Sequence, residues 1–219
     1  MPVKSTRKSH AGKNADAAVG RRPKTADRII SAATELFLRD GYSSTNLEQV
    51  AEMAGVTKPT VYSHFKSKEG LLSAVSAAQA KSNADRIMTS LEPTGDTKAD
   101  LLNFGQLFLE TVLGENAVSW HRLSIAESRN HPEVGHAVYA SGPARVIAAV
   151  TEFIAAETQA GRLQCANAQV AAEQFIGLLS GVNPIRVLTG QRSPTKATLR
   201  RNCAEAVKTF LAAFATEQT

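Results

Sequence analysis

The chain has few cysteines, few aromatic residues and no long apolar run, and each shortage removes a class of function. Cys165 and Cys203 are its only cysteines, too few and too far apart for a disulfide framework or a thiolate metal site. Both lie in alanine-rich helical context and read as small buried apolar residues. The five histidines, His10, His64, His121, His131 and His136, lack the H-E-x-x-H spacing that would hold a metal on one helix face. No metal and no cofactor is therefore expected. No segment reaches the roughly 18 apolar residues of a membrane span, and the first residues lack the apolar centre of a signal peptide, so a cytoplasmic location is expected. An enzyme built on a helical bundle, with His121, Glu127 and His131 as acid or base, has no accompanying nucleophile, phosphate loop or metal spacing. Catalysis is not expected.

Positive charge is present but unevenly spread. The first 24 residues hold Lys4, Arg7, Lys8, Lys13, Arg21, Arg22 and Lys24 against Asp16 alone, so the net charge of +5 and the pI of 9.4 belong to this segment and the rest is almost neutral. Residues 1–24 read as a disordered basic arm. Beside a DNA-reading module it would follow phosphates or enter a minor groove, with Arg21 and Arg22 nearest to the fold. A leader whose charges serve only solubility is the alternative for its first part.

With 219 residues and 43% hydrophobic content the chain can bury a sizeable core, and its apolar spacing is helical throughout, which predicts an all-α fold. Ile29, Ile30, Ala33, Leu36 and Phe37 form one stripe that Gly41 terminates. Residues 45–65, TNLEQVAEMAGVTKPTVYSHF, then read as two short helices joined by a glycine turn. The T-x-x-E pattern of Thr45 and Glu48 predicts a capping box at the first, Gly55 supplies the turn, and Thr57 is placed to cap the second, whose Pro59 falls in the tolerant first turn. Val61 and Phe65, four residues apart, face inward. Lys58, Pro59, Thr60, Tyr62, Ser63 and His64 remain for other faces, the layout that carries a reading helix into the DNA major groove. Thr57, at the entry of that helix, is counted with them. Ser67 can cap the next helix, whose exposed N–H groups and positive end suit a phosphate, with Lys68 adding full charge.

These parts together, from Arg28 to Val75, resemble the DNA-binding domain of the TetR family of transcriptional regulators. The resemblance implies DNA contacts at Thr45, Lys58, Thr60, Tyr62, His64 and Lys68, with an apolar contact from Pro59. Ser63 stands where many relatives carry a second aromatic residue. Residues 122–150 look like the C-terminal domain of the AefR-like branch, which implies a ligand-responsive helical domain and a repressor.

Domains are accordingly expected at 25–75, a three-helix helix-turn-helix unit, and at 76–219, a larger helical unit for ligand binding and dimerisation. Helices are predicted over 67–91, from 101 through 112, over 117–128, from 131 to a break at Gly142 and Pro143, over 144–160, 168–188 and 195–215. The last two carry broad apolar stripes. Phe175, Leu178, Leu179 and Val182, with Leu199, Ala206, Phe210 and Phe214, are expected to form a four-helix interface with a second copy, unless they pack within one chain. Large side chains that could line a pocket are Phe104, Phe108, Trp120, Leu123, Tyr139, Phe175 and Leu178, with His121, Glu127, Arg129 and Asn183 as polar anchors. The expected function is a homodimeric repressor on a palindromic operator, released by a small-molecule effector. An architectural DNA-binding protein, with those pocket residues as plain core, is the alternative.

Overall fold

The computed structural model describes residues 24–216, so Arg21, Arg22 and all of the basic arm before Lys24 lie outside the described residues. Eleven helices follow one another among the described residues, and the one extended pairing is an isolated bridge between Leu163 and Ala215. The first four are α1 (Thr25–Arg39), α2 (Leu47–Ala54), α3 (Lys58–Phe65) and α4 (Lys68–Met88). Then come α5 (Thr97–Val112), α6 (Glu115–Ser128), α7 (Pro132–Ser141), α8 (Pro143–Gln159), α9 (Ala168–Ser180), α10 (Asn183–Leu188) and α11 (Lys196–Phe214).

Local chemistry sets most of these boundaries, with one displacement from the sequence reading. The capping box of α2 is made by Asn46 and Gln49, the Asn46 side chain accepting from Gln49 N at 2.9 Å and Gln49 Oε1 accepting from Asn46 N at 2.9 Å. Thr45 is instead 2% exposed, and its hydroxyl donates to the Gly41 carbonyl at 2.9 Å. Threonine one residue earlier is the more valuable as a buried staple to the α1–α2 loop, and asparagine is the stronger cap. Ser67 caps α4 as its sequence suggests, accepting from Gly70 N at 3.0 Å. Thr57 precedes α3 without a side-chain bond to the helix backbone, and its hydroxyl pairs with that of Thr60 at 2.9 Å.

Two hydrophobic cores result. The smaller is built from Ile29, Leu36, Val50, Val61 and Leu71 with their neighbours, and it also takes Trp120 from α6 and Val134 from α7. The larger contains a row of phenylalanines: Phe104 and Phe108 stack at 5.8 Å, Phe104 meets Phe175 at 6.1 Å, and Phe175 meets Phe210 at 4.9 Å. Fully burying one such ring contributes about 1.5–3 kcal/mol. The long α4 serves both cores, with Leu71, Leu72 and Val75 in the first and Ala84 and Ile87 in the second.

The C-terminal helices require two corrections. The predicted helix over 168–188 is broken at Gly181, whose φ of 50° and ψ of −133° leave the helical region and restart the chain as α10. The expected interface stripe is also largely internal: Phe175, Leu179, Leu199, Ala206 and Phe210 are all buried within one chain. The exposed apolar face lies one helical step away, at Val170, Leu178, Val182 and Ile185. Leu178 lies three residues, about 60° of helix rotation, from the buried Phe175 and so falls at the edge of the stripe, while Val182 and Ile185 lie beyond the break at Gly181; the alanine-rich pattern did not distinguish the edge from the centre.

Glu157 holds the end of α8 in place. Its buried carboxylate accepts from Arg162 Nε at 2.7 Å and Nη2 at 2.6 Å, and from the Thr97 hydroxyl of α5. The Arg162 guanidinium holds this carboxyl below the usual range, with Thr97 adding to the effect against the opposing cost of burial. A depressed pKa stabilises the fold above the unfolded value of roughly 4.3, and the contribution is lost as pH falls through the lower folded value. Thermal melting followed against pH should therefore show a loss below about pH 4.3 that is shallower in Glu157→Gln. Identical slopes would remove Glu157 from the acid response.

Candidate nucleic-acid interface and internal cavity

Only Val61 of α3 is fully buried, and Phe65 is half-buried behind it, so the inward pair is as the spacing predicts. Lys58, Pro59, Tyr62, Ser63 and His64 are exposed and Thr60 is partly so, which leaves one continuous polar and aromatic face. Lys58 forms an ion pair with Glu48 of α2, and its ammonium lies 5.8 Å from the Tyr62 ring centroid. That carboxylate raises the Lys58 pKa, so the lysine is cationic at neutral pH and already orientated along the reading face. Lys68 is half-buried: its ammonium donates to the Ser43 carbonyl at 3.2 Å and stands 4.3 Å from the Tyr42 ring centroid. The positive start of α4 is thus reinforced by a tethered cation. Thr45 cannot present its hydroxyl to DNA in this geometry, because it is turned into the fold.

A residue that no sequence pattern singled out fixes the angle of the two helices. Arg28 of α1 donates from Nε to the Ala54 carbonyl at 3.0 Å and from Nη2 to the Gly55 carbonyl at 2.8 Å, with a second bond from Nη2 to Ala54. The guanidinium satisfies carbonyls left over at the end of α2, a use of arginine that depends on folded geometry and leaves no local spacing signal. Gly55 itself has φ of 61°, and a Cβ there would stand 3.0 Å from Arg28 Nη2. Gly55→Ala is expected to cost about 1–2 kcal/mol through left-handed strain and displacement of this clamp. Calorimetric melting checks it, and an unchanged melting temperature would show that the clamp is slack.

The second feature is a cavity of about 260 Å³ in the larger part of the fold. Helix α4 supplies Ala80, Asn83 and Ala84 to its wall, α5 supplies Phe108, and α6 supplies Val118 and His121. The α7–α8 junction at Gly142 and Pro143 closes one side, and Ile176, Ser180 and Pro184 of α9 and α10 the other. Desolvation holds the His121 imidazole below its usual pKa, so it is neutral at neutral pH.

Of the eleven pocket residues taken from the sequence, Phe108 and His121 line this cavity, and Arg129 is exposed outside it. Phe104 and Phe175 belong to the phenylalanine row. Trp120 and Leu123 pack with the helix-turn-helix core, Tyr139 and Leu178 are exposed by 57% and 42%, and Glu127 is half-buried elsewhere. Asn183 is buried at the start of α10 and does not line the cavity. Large side chains fill space and small ones leave it, so the useful signal was the small pair Ala80 and Ala84, four residues apart on one face of α4.

Three consecutive residues of α6 connect these features. Trp120 is buried in the helix-turn-helix core, His121 faces the cavity, and Arg122 donates to the carbonyls of Val187 and Leu188 at the end of α10, the latter at 3.2 Å. Helix α4 spans the same distance, from the reading-head core to the cavity wall. Two packed helices, α4 and α6, thus join the cavity wall to the smaller core.

Known proteins show the same organisation. Residues 29–75 match the model for bacterial regulatory proteins of the tetR family, and residues 99–216 match that of the AefR-like transcriptional repressor C-terminal domain. The uncharacterised HTH-type transcriptional regulator YvkB of Bacillus subtilis is 28% identical over 187 residues, covering 84% of this chain and 96% of that protein. Among solved structures, a chain described as a TetR-family transcriptional regulator from Mesorhizobium loti superposes with a TM-score of 0.83 at 28% identity, covering 88% of this chain and 98% of that one. The flavonoid-responsive regulator FrrA superposes with a TM-score of 0.76 at 28% identity, covering 89% and 98%. With a helix-turn-helix face at one end, a helical body at the other and a family match across both, the chain belongs to the TetR family of transcriptional regulators.

Proposed function

We propose that the protein is a homodimeric repressor that binds a palindromic operator in the cytoplasm and is released from it by a small molecule held in the cavity between α4, α6, α8 and α9. Residues 25–75 act as the DNA-binding domain and 76–219 as the effector-binding and dimerisation domain. Lys58, Pro59, Thr60, Tyr62 and His64 meet the major groove, Thr57 and Lys68 meet phosphates, and Arg21 and Arg22 extend the contact along the backbone. The observation that carries this reading is the α6 arrangement, in which Trp120, His121 and Arg122 touch the reading-head core, the cavity and α10 in succession. The repressor match over 99–216 supports the sign of regulation, and the flavonoid response in the name of FrrA supports ligand control.

Linkage supplies the mechanism. An effector that binds better to a head spacing that misfits DNA weakens operator binding by the same coupling energy, typically about 1–3 kcal/mol. Filling the cavity presses on α4 and α6, and both carry the reading head. Dimerisation sets the spacing between two such heads at one turn of DNA.

The exposed apolar face at Val170, Leu178, Val182 and Ile185 is the surface assigned to the partner copy. It borders a groove lined by Gly177, Leu178, Ala213 and Phe214, so α9, α10 and α11 can pack isologously as a four-helix interface. In a two-fold arrangement a new carboxylate there meets an apolar surface and its own copy. Val182→Asp combined with Ile185→Asp is expected to weaken dimerisation at least about tenfold, with helical content retained, because an unpaired charge is costly to bury. Sedimentation velocity across a concentration series reads this out together with operator binding. A variant that stays dimeric and binds the operator normally would place the interface elsewhere.

A further inference from the structure

None of the described residues around the cavity carries a formal charge, and its wall is mostly aliphatic: Ile87, Val112, Val146, Ile147 and Ile176 are typical. An ionic guest would lose its hydration there without gaining a counter-ion, the situation that burial penalises most. The polar side chains are Asn83 on α4, His121 on α6 and Ser180 on α9, one to each of three walls. Asparagine and serine each donate and accept, and a neutral imidazole offers one donor and one acceptor, so all three recognise an uncharged hydroxyl or carbonyl. The volume of about 260 Å³ lies just below the roughly 300–1,000 Å³ usual for drug-sized ligands, which limits the guest to one or two rings or an equivalent aliphatic body. Among the described residues one phenyl or phenol ring, that of Phe108, lies on the wall and no acidic residue accompanies it, so they do not form the cage that would hold a quaternary ammonium.

Resting on the effector-site reading above, we propose that the cavity selects a small, uncharged, mostly apolar molecule bearing one hydroxyl or carbonyl group, which hydrogen-bonds to His121 and is flanked by Asn83 and Ser180. The uncharged lining is what makes the selection strict, because a cation finds no carboxylate there and an anion no guanidinium or ammonium to replace its lost hydration.

The test uses three probes with one ring system: naphthol, which is uncharged at neutral pH, naphthoate, an anion, and naphthylmethylamine, a cation. Each is titrated calorimetrically into the full-length protein, and operator affinity is measured with and without the probe. Naphthol is expected to bind at least about tenfold more tightly than either ion, and His121→Leu to weaken naphthol by about tenfold, the worth of one hydrogen bond. Ile147→Trp and Ser180→Phe fill the cavity from opposite walls, and whichever retains the wild-type helical circular dichroism should abolish naphthol binding. Equal or tighter binding of an ion, blocked by the filled cavity, overturns the ligand class and leaves the effector reading intact. Naphthol binding that the filling substitution blocks, yet which leaves operator affinity unchanged, upholds the ligand class and overturns the effector reading. Absence of saturable binding by all three probes overturns the ligand class.

Discussion

Phe175→Ala should lower the unfolding free energy by about 3–5 kcal/mol, the range for removing a large ring from a core that cannot collapse into the space. Phe175 has no exposed surface and stands between Phe104 and Phe210, so its loss breaks the phenylalanine row at its centre. Against a total stability of about 5–15 kcal/mol for a domain this is a large fraction. Urea unfolding at fixed protomer concentration measures it, since the proposed dimerisation would make apparent stability concentration-dependent. The sequence alone allowed Phe175 to be an interface residue, and that role makes a different forecast: weaker self-association with little change in the unfolding of the single chain. Observing that pattern would overturn the placement of the row inside one protomer.

Tyr62→Ala should reduce affinity for the specific operator by about 10–100-fold while leaving binding to unrelated DNA nearly unchanged, as expected for a base-reading contact worth 1–3 kcal/mol. Tyr62 is 45% exposed on α3 and belongs to neither hydrophobic core, so the expected change is one of recognition. Its ring also lies near the Lys58 ammonium, and removing it frees that cation to move. Lys68→Ala is the counterpart: a tethered cation at the start of α4 that should weaken binding to all sequences and flatten the salt dependence. Fluorescence anisotropy with specific and unrelated duplexes across a salt series separates the two. Equal losses on both duplexes for Tyr62→Ala would remove it from sequence reading.

The reading head was legible in the sequence because its signals are local. Gly55 in a left-handed turn, Pro59 in a first helical turn and Ser67 at an N-cap each act within four residues, and all three occupy those places. Even there, the cap of α2 moved from Thr45 to Asn46, since two adjacent residues of similar chemistry compete and only the fold shows which is drawn inward. The body was legible as helices but not as surfaces. Trp120 looked like a pocket residue by size, yet α6 rotates it into the core of the reading head and leaves His121 to face the cavity. That choice depends on how α4, α6 and α7 pack, which sequence spacing within one helix does not encode. Arg28 and Arg122, which tie carbonyls 26 and 65 residues or more away, were invisible for the same reason.

Selection of bound sequences from a random double-stranded DNA pool, with the purified full-length chain at about 0.15 M salt where non-specific attraction is screened, tests the central claim most directly. A dimer carrying two copies of α3 is expected to enrich a two-fold symmetric site whose half-sites lie about one helical turn, or a small multiple of it, apart. Recovery of unenriched DNA, or of a single asymmetric half-site, would contradict a sequence-specific dimer built on the face of α3.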